Sequence, residues 1–340
     1  MDQSPGVAII GVGTRWSRQL AAVVQRSNIL NLISCYARTP DHRDTFAAEF
    51  GCRSTSTLEE ALETKGVEGV LITAPAHVHP EITYACAARG LHVFVEKPMA
   101  LTLQEALQMK AECVKAGVVL MVNLEMRRLG SSKAMKSVIE SGRLGKVVAG
   151  SAAFTLPGVI SPDNWRGNRQ TNRGGALMQL GIHHIDTLRY LFGEISSVRG
   201  FFAHTSAPVD IDDVAFAQLT FSNGAQVVVL STYVSPKVYE LRFYGDVANL
   251  ECTVDMQVWP DARQVDERTQ LSVQSASGRE AVRVEPQDCL ADQIDEFARC
   301  MRGETKPETG ADEGIAALTV VEAALRSFTQ GAPVDPRSIF

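Results

Sequence analysis

Short apolar runs alternating with amphipathic stretches fill the first third of the chain. Val7-Ala8-Ile9-Ile10, Leu32-Ile33-Ser34-Cys35-Tyr36, Val70-Leu71-Ile72-Thr73, His92-Val93-Phe94-Val95 and Val118-Val119-Leu120-Met121-Val122 have the length and the β-branched or aromatic content of buried strands. Helical patterns lie between them. One carries Leu20, Val23 and Val24, one runs through Phe46 and Phe50 to Gly51, and one is opened by Thr57-Leu58-Glu59-Glu60. Another spans about Pro80 to Arg89, and the last is opened by the capping-box pattern Thr102-Leu103-Gln104-Glu105. This alternation predicts a doubly wound parallel sheet with right-handed crossovers.

The pattern changes at Asn123. A short helix is expected near 134–140, then strand-like runs with hairpin chemistry, clearest in 215–221 and 225–230 around Ser222-Asn223-Gly224. The second sheet is therefore expected to be largely antiparallel. Between these runs, Arg173 to Leu191 reads as one helix, with Gln179, His183, Asp186 and Tyr190 on one face and Leu180, His184, Leu188 and Leu191 on a neighbouring stripe. Two amphipathic helices close the chain, through Leu290, Ile294, Phe297 and Met301 and then through Ile315, Leu318, Val321, Leu325 and Phe328. They read as structural. The expected organisation is an α/β protein with a dinucleotide-binding Rossmann domain over 1–122 and a second α/β domain over 123–340.

Length agrees with two domains: 340 residues exceed the roughly 100 to 200 of one ordinary domain. A net charge of -6 argues against nucleic acid as a partner, which needs a concentrated basic surface. No apolar run suits a membrane span, and Met1 to Pro5 resemble no export signal. The seven cysteines, at 35, 52, 86, 113, 252, 289 and 300, include no CxxC pair. Reduced thiols in a cytoplasmic protein are expected.

Candidate chemistry gathers at the strand ends. Gly11-Val12-Gly13 follows the first strand, where bare backbone lets a pyrophosphate reach a helix amino terminus; the third position of that fingerprint is Trp16. After the second strand the usual acidic residue is missing. Ala37-Arg38-Thr39 stands there instead, and Arg38 suits a 2′-phosphate, so NADP is favoured, with NAD possible. The loop Ala74-Pro75-Ala76-His77-Val78-His79 leaves its strand on the same edge as Gly13 and the Glu96-Lys97-Pro98 tripeptide. A lysine in an apolar, partly dry site can exchange a proton near neutrality.

Taken together, Gly11-Val12-Gly13, the Pro75 to His79 loop, Glu96-Lys97-Pro98, Asn123, Trp165-Arg166, Gly174-Gly175 with His183 and Asp186, and the final helix pair resemble the glucose-fructose oxidoreductase, inositol dehydrogenase and rhizopine-catabolism family (Gfo/Idh/MocA). The resemblance runs over nearly the whole chain. It implies an open-faced second sheet, commonly buried in a homodimer or homotetramer, and reversible hydride transfer between nicotinamide and a CH–OH carbon of a small molecule, usually a sugar or cyclitol. Lys97 and His183 match the family's catalytic pair. Gly11, Gly13, Thr14, Arg15, Trp16, Arg38, Thr39, Pro75, His79, Glu96, Lys97 and Asn123 are expected to bind cofactor. Lys97, Trp165, Arg166, Gln179 and His183 are expected to meet substrate. Gln179 departs from the family, which often has Asp four residues before the histidine. Two other functions stay open: a non-enzymatic dinucleotide sensor, which retention of both Lys97 and His183 opposes, and a glycosidase using NAD transiently.

Overall fold

A computed structural model of the protein describes residues 4–158, 164–259 and 261–340. The chain divides into two compact units, one of Met1–Leu124 with Leu290–Ile315, the other of Glu125–Cys289 with Ala316–Phe340.

The first unit is built on six parallel strands: β1 (Gly6–Ile10), β2 (Asn31–Tyr36), β3 (Arg53–Thr55), β4 (Val67–Ile72), β5 (His92–Glu96) and β6 (Leu120–Asn123). Their order is β3-β2-β1-β4-β5-β6. Helices α1 (Arg15–Ser27), α2 (Pro40–Phe50), α3 (Leu58–Leu62), α4 (His79–Ala87) and α5 (Leu103–Ala116) form the crossovers. Val7 to Ile10 and Val93 to Val95 are buried, as strands covered on both faces must be. Local chemistry sets the helix ends where the sequence places them. Thr102 Oγ1 accepts from Glu105 N while Glu105 accepts from Thr102 N, and Gly51 and Gly117 close their helices in the left-handed region. The strand order reverses between β1 and β4, the point at which such sheets bind dinucleotides.

The second unit contains α6 (Gly130–Glu140), β7 (Val147–Pro157), α7 (Ile182–Phe192), β8 (Ile195–Ala203), β9 (Val214–Phe221), β10 (Gln226–Thr232), β11 (Val234–Gly245), β12 (Ala248–Thr253), α8 (Ala262–Arg268), β13 (Gln270–Ser275) and β14 (Gly278–Ala281). The strands make one sheet in the order β14-β13-β12-β11-β7-β10-β9-β8, antiparallel except for the parallel β7–β10 pair. Helix α6 begins four residues before its apolar pattern shows. Its start is set from 136 residues away by Asp266, whose carboxylate accepts from Gly130 N at 2.7 Å and Ser131 N at 3.0 Å.

Two expectations need correction. The segment after 289 does not belong wholly to the second unit. Helix α9 (Cys289–Met301) covers the parallel sheet, with the Phe297 ring 5.7 Å from that of Phe94, and Val122 N donates to Thr309 O at 2.7 Å. Apolar periodicity shows that α9 has a buried face but carries no information about which sheet it covers. Nor is Arg173 to Leu191 one regular α-helix. Leu177–Gly181 is a π-turn leading into α7, and the residues expected along a polar stripe, Gln179, His183 and Asp186, are all buried. The closing helix α10 (Ala311–Gln330) ends before Gly331, and no helix among the described residues is long and apolar enough to cross a membrane.

Candidate functional site

In the first unit the candidate residues stand at the carboxyl edge of the parallel sheet. Gly11 follows β1 with φ +95°, and a Cβ there would lie 2.4 Å from Ala74 N, so the β1 turn and the β4 loop can meet only over glycine. Gly13 is exposed, and the nearest atoms a Cβ on it would meet are those of the His42 ring, so bare backbone at this position leaves room for approach from outside. Thr14 caps α1 by accepting from Ser17 N at 3.3 Å. Arg15 is exposed and Trp16 half-buried in the first turn of α1. This bare turn at a helix amino terminus suits a dinucleotide pyrophosphate.

Beyond β2, Ala37 is buried, while Arg38 and Thr39 are exposed at the start of α2. Burial, and then the charge of Arg38, hold the His77 imidazole below its ordinary range. His79, expected to touch cofactor, is buried. Its ring lies between two carbonyl oxygens, Nε2 at 2.8 Å from Ala74 O and Nδ1 at 3.1 Å from Pro98 O. Burial pushes it down to about 4, so near neutrality the ring is uncharged and donates to one carbonyl at a time. It ties the Pro75 loop to the Lys97-Pro98 loop, whose peptide bond is cis.

Glu96 and Asn123 are also turned inward. Asn123 Nδ2 donates to Glu96 Oε1 at 2.5 Å, and Asn123 Oδ1 accepts from Gln293 Nε2 at 2.8 Å, with all three side chains buried. His79 and Asn123 thus shape the loops through protein contacts. Lys97, the next residue after Glu96, is half-buried.

In the second unit a buried polar cluster surrounds His183. Asp186, on the predicted face of His183, holds Arg127, with Nε to Oδ2 at 2.8 Å and Nη2 to Oδ1 at 2.5 Å, and Glu125 Oε1 stands 3.8 Å from His183 Nδ1. Glu125 and Arg127 escaped the sequence reading. Their signal is the run Glu125-Met126-Arg127-Arg128 just beyond β6, three charged residues in four that are nonetheless buried throughout. His184 stacks on Tyr239 at 4.4 Å between ring centroids, and burial pushes it down to about 3. Gln179 is buried at the π-turn. Trp165 and Arg166 occupy a short turn, half-buried, with the guanidinium 4.4 Å from the Trp165 ring centroid.

These features agree with two family models. Residues 6–124 match the model described as an oxidoreductase family with an NAD-binding Rossmann fold, and residues 132–251 match the GFO/IDH/MocA C-terminal domain. The chain belongs to the GFO/IDH/MocA family of oxidoreductases. Its first unit is an NAD-binding Rossmann domain, and it is an enzyme of the dehydrogenase and reductase class.

A 1,5-anhydro-D-fructose reductase from Ensifer adhaerens is 23% identical over 94% of this chain and 98% of its own length. A scyllo-inositol 2-dehydrogenase (NAD(+)) from Bacillus subtilis strain 168 is 29% identical over 81% of this chain and 80% of its own. Among solved structures, a presumed NADPH-dependent oxidoreductase from Desulfitobacterium hafniense DCB-2 superposes with a TM-score of 0.94 at 32% identity, covering 100% of this chain and 99% of that one.

Proposed function

We propose that the protein transfers a hydride between a nicotinamide, NADP in preference to NAD, and a CH–OH carbon of a sugar, polyol or cyclitol, with Lys97 and His183 as acid/base groups. One observation carries the reading. Lys97 follows β5, which lies on the β4-β5-β6 side of the strand-order reversal, opposite the β2 side where the adenosine ribose is gripped in such folds. The nicotinamide end of a dinucleotide laid across the reversal therefore falls on the side of Lys97.

Bound nicotinamide supplies the hydride acceptor or donor. The protein must hold the substrate hydroxyl and take up or return its proton. An amine and an imidazole suit that task, and Glu125 stands where it can stabilise a protonated His183. Trp165, Arg166 and Gln179 are the proposed substrate contacts. The names of the relatives support the substrate class, since anhydrofructose and inositol share ring carbons that pass between carbonyl and hydroxyl. The Desulfitobacterium protein's name supports NADP, and the inositol dehydrogenase's name shows that NAD occurs among the relatives.

A second copy of the chain is the proposed partner of the open sheet. Phe201 pairs with Phe216 across β8 and β9, Phe216 pairs with Leu230 on β10, and Phe201, Phe216 and Val228 are 49%, 41% and 42% exposed. Such a patch suits a self-complementary interface.

The test is a panel of sugars, inositols and sugar acids with both cofactors, followed by the absorbance of reduced nicotinamide. Turnover of a ring hydroxyl or ketone is expected, faster with NADP. No turnover across the panel, with a cofactor that survives desalting unconsumed, would contradict the reading.

A further inference from the structure

The buried amide of Gln293 has no evident reason to exist in a helix that only packs. It sits on α9 among Leu290, Ile294 and Phe297, and it is completely buried. Its Nε2 donates to Asn123 Oδ1 at 2.8 Å, while its Oε1 has no hydrogen-bond partner among the described residues. A buried amide with half its capacity unmet is costly, and an apolar side chain of the same volume would fill the place at least as well.

What the amide does achieve is orientation. Its single bond fixes which end of the Asn123 side chain faces α9, so that Asn123 Nδ2 must face Glu96, where it donates to Oε1 at 2.5 Å. Donors run one way from α9 through β6 to β5 and end on a carboxylate acceptor. Were Asn123 turned over, its Oδ1 would confront the Glu96 carboxylate, two acceptors in a dry site. Glu96 is the last residue of β5, and Lys97 follows it directly. Anchoring Glu96 inward therefore fixes the backbone from which the next residue, Lys97, departs. His79 holds the far end of the same loop at Pro98 O.

We propose that Gln293 is a positioning residue for Lys97, acting through Asn123 and Glu96. The proposal rests on Lys97 being the acid/base group. The returning segment Leu290–Ile315 thereby supplies a part of the active site and not a packing face alone.

The variant is Gln293→Met, which keeps the length and volume and removes the donor. Two measurements go together. In the protein without substrate, lysines are reductively methylated with ¹³C-formaldehyde and the methyl resonance of Lys97, identified by its loss in Lys97→Arg, is followed in wild type and variant. In turnover with the substrate found above, kcat, KM and the cofactor Kd are compared.

The expected result is a displaced or broadened Lys97 resonance, a kcat lower by about tenfold or more, a cofactor Kd within about twofold of wild type, and an unchanged melting temperature. A lower melting temperature with kcat and the Lys97 resonance unmoved would make Gln293 merely structural and overturn the proposal. So would wild-type values throughout. If wild type turns over no substrate, the proposed function fails on its own, and the Lys97 resonance still decides whether Gln293 positions that side chain.

Discussion

At the residue scale, the turn after β1 was legible because its chemistry is local. A turn that needs bare backbone shows as Gly11 and Gly13, and a missing carboxylate shows as Ala37 beside Arg38. The exposed guanidinium of Arg38 at the head of α2 is the proposed source of NADP preference. A charge-assisted hydrogen bond is worth about 1.5 to 3 kcal/mol, roughly ten- to a hundredfold in affinity. Arg38→Ala should therefore weaken NADP by that factor and leave NAD nearly unchanged, as read from Kd values for both. Equal losses for the two cofactors would place Arg38 outside 2′-phosphate recognition. The partners of His183 were not legible in the same way. Asp186, three residues on along the helix, pairs with Arg127, and Glu125 arrives from 58 positions earlier in the chain. Spacing along one element cannot report a side chain delivered by another.

At the element scale, helices and strands came through where start and stop chemistry lies in the sequence next to them, as with Thr102 and Gly51. They were blurred where the signal is remote. Helix α6 is the clearest case. Its first amides are met by Asp266, which also accepts from Gln287 N at 3.1 Å. Asp266→Ala would leave three backbone donors without their carboxylate, two of them at the buried start of α6, at a cost of about 2 kcal/mol or more. Urea unfolding should show a lower midpoint together with faster amide exchange in residues 130–134. A midpoint equal to wild type would mean that those amides find other acceptors. The π-turn at Leu177–Gly181 has the same lesson. An apolar pattern with 3.6-residue spacing predicts a helix there correctly, yet one turn of wider pitch changes which side chains share a face.

At the scale of the whole molecule, each unit encloses a fully buried histidine held neutral by burial, His79 at about 4 in the first and His184 at about 3 in the second. Both lie below the ordinary value of 6.5, so between that value and the folded one the unfolded chain binds the extra proton. Their contribution is complete above pH 6.5 and falls as the pH drops toward 4 and 3. Each histidine contributes a slope of up to about 1.4 kcal/mol per pH unit in that window. Lowering the pH from about 7.5 to about 5 should cost about 2 kcal/mol through His184 alone, and His184→Phe, which keeps a ring against Tyr239, should remove that share. An identical pH dependence in wild type and His184→Phe would contradict the burial-driven shift. The two-unit organisation itself was legible from the change of pattern at Asn123. The return of Leu290–Ile315 was not, because nothing in an amphipathic helix says which core it completes.

The role proposed for Lys97 is to move the proton that accompanies hydride transfer. Lys97→Met keeps the stem and removes the amine, so it isolates that role from the packing of the loop. With the substrate identified from the panel, kcat should fall by about 10² to 10⁴ while the Kd of NADP stays near wild type. A variant that keeps more than about a third of wild-type turnover, under conditions where hydride transfer limits the rate, would return Lys97 to an ordinary surface lysine and contradict the account.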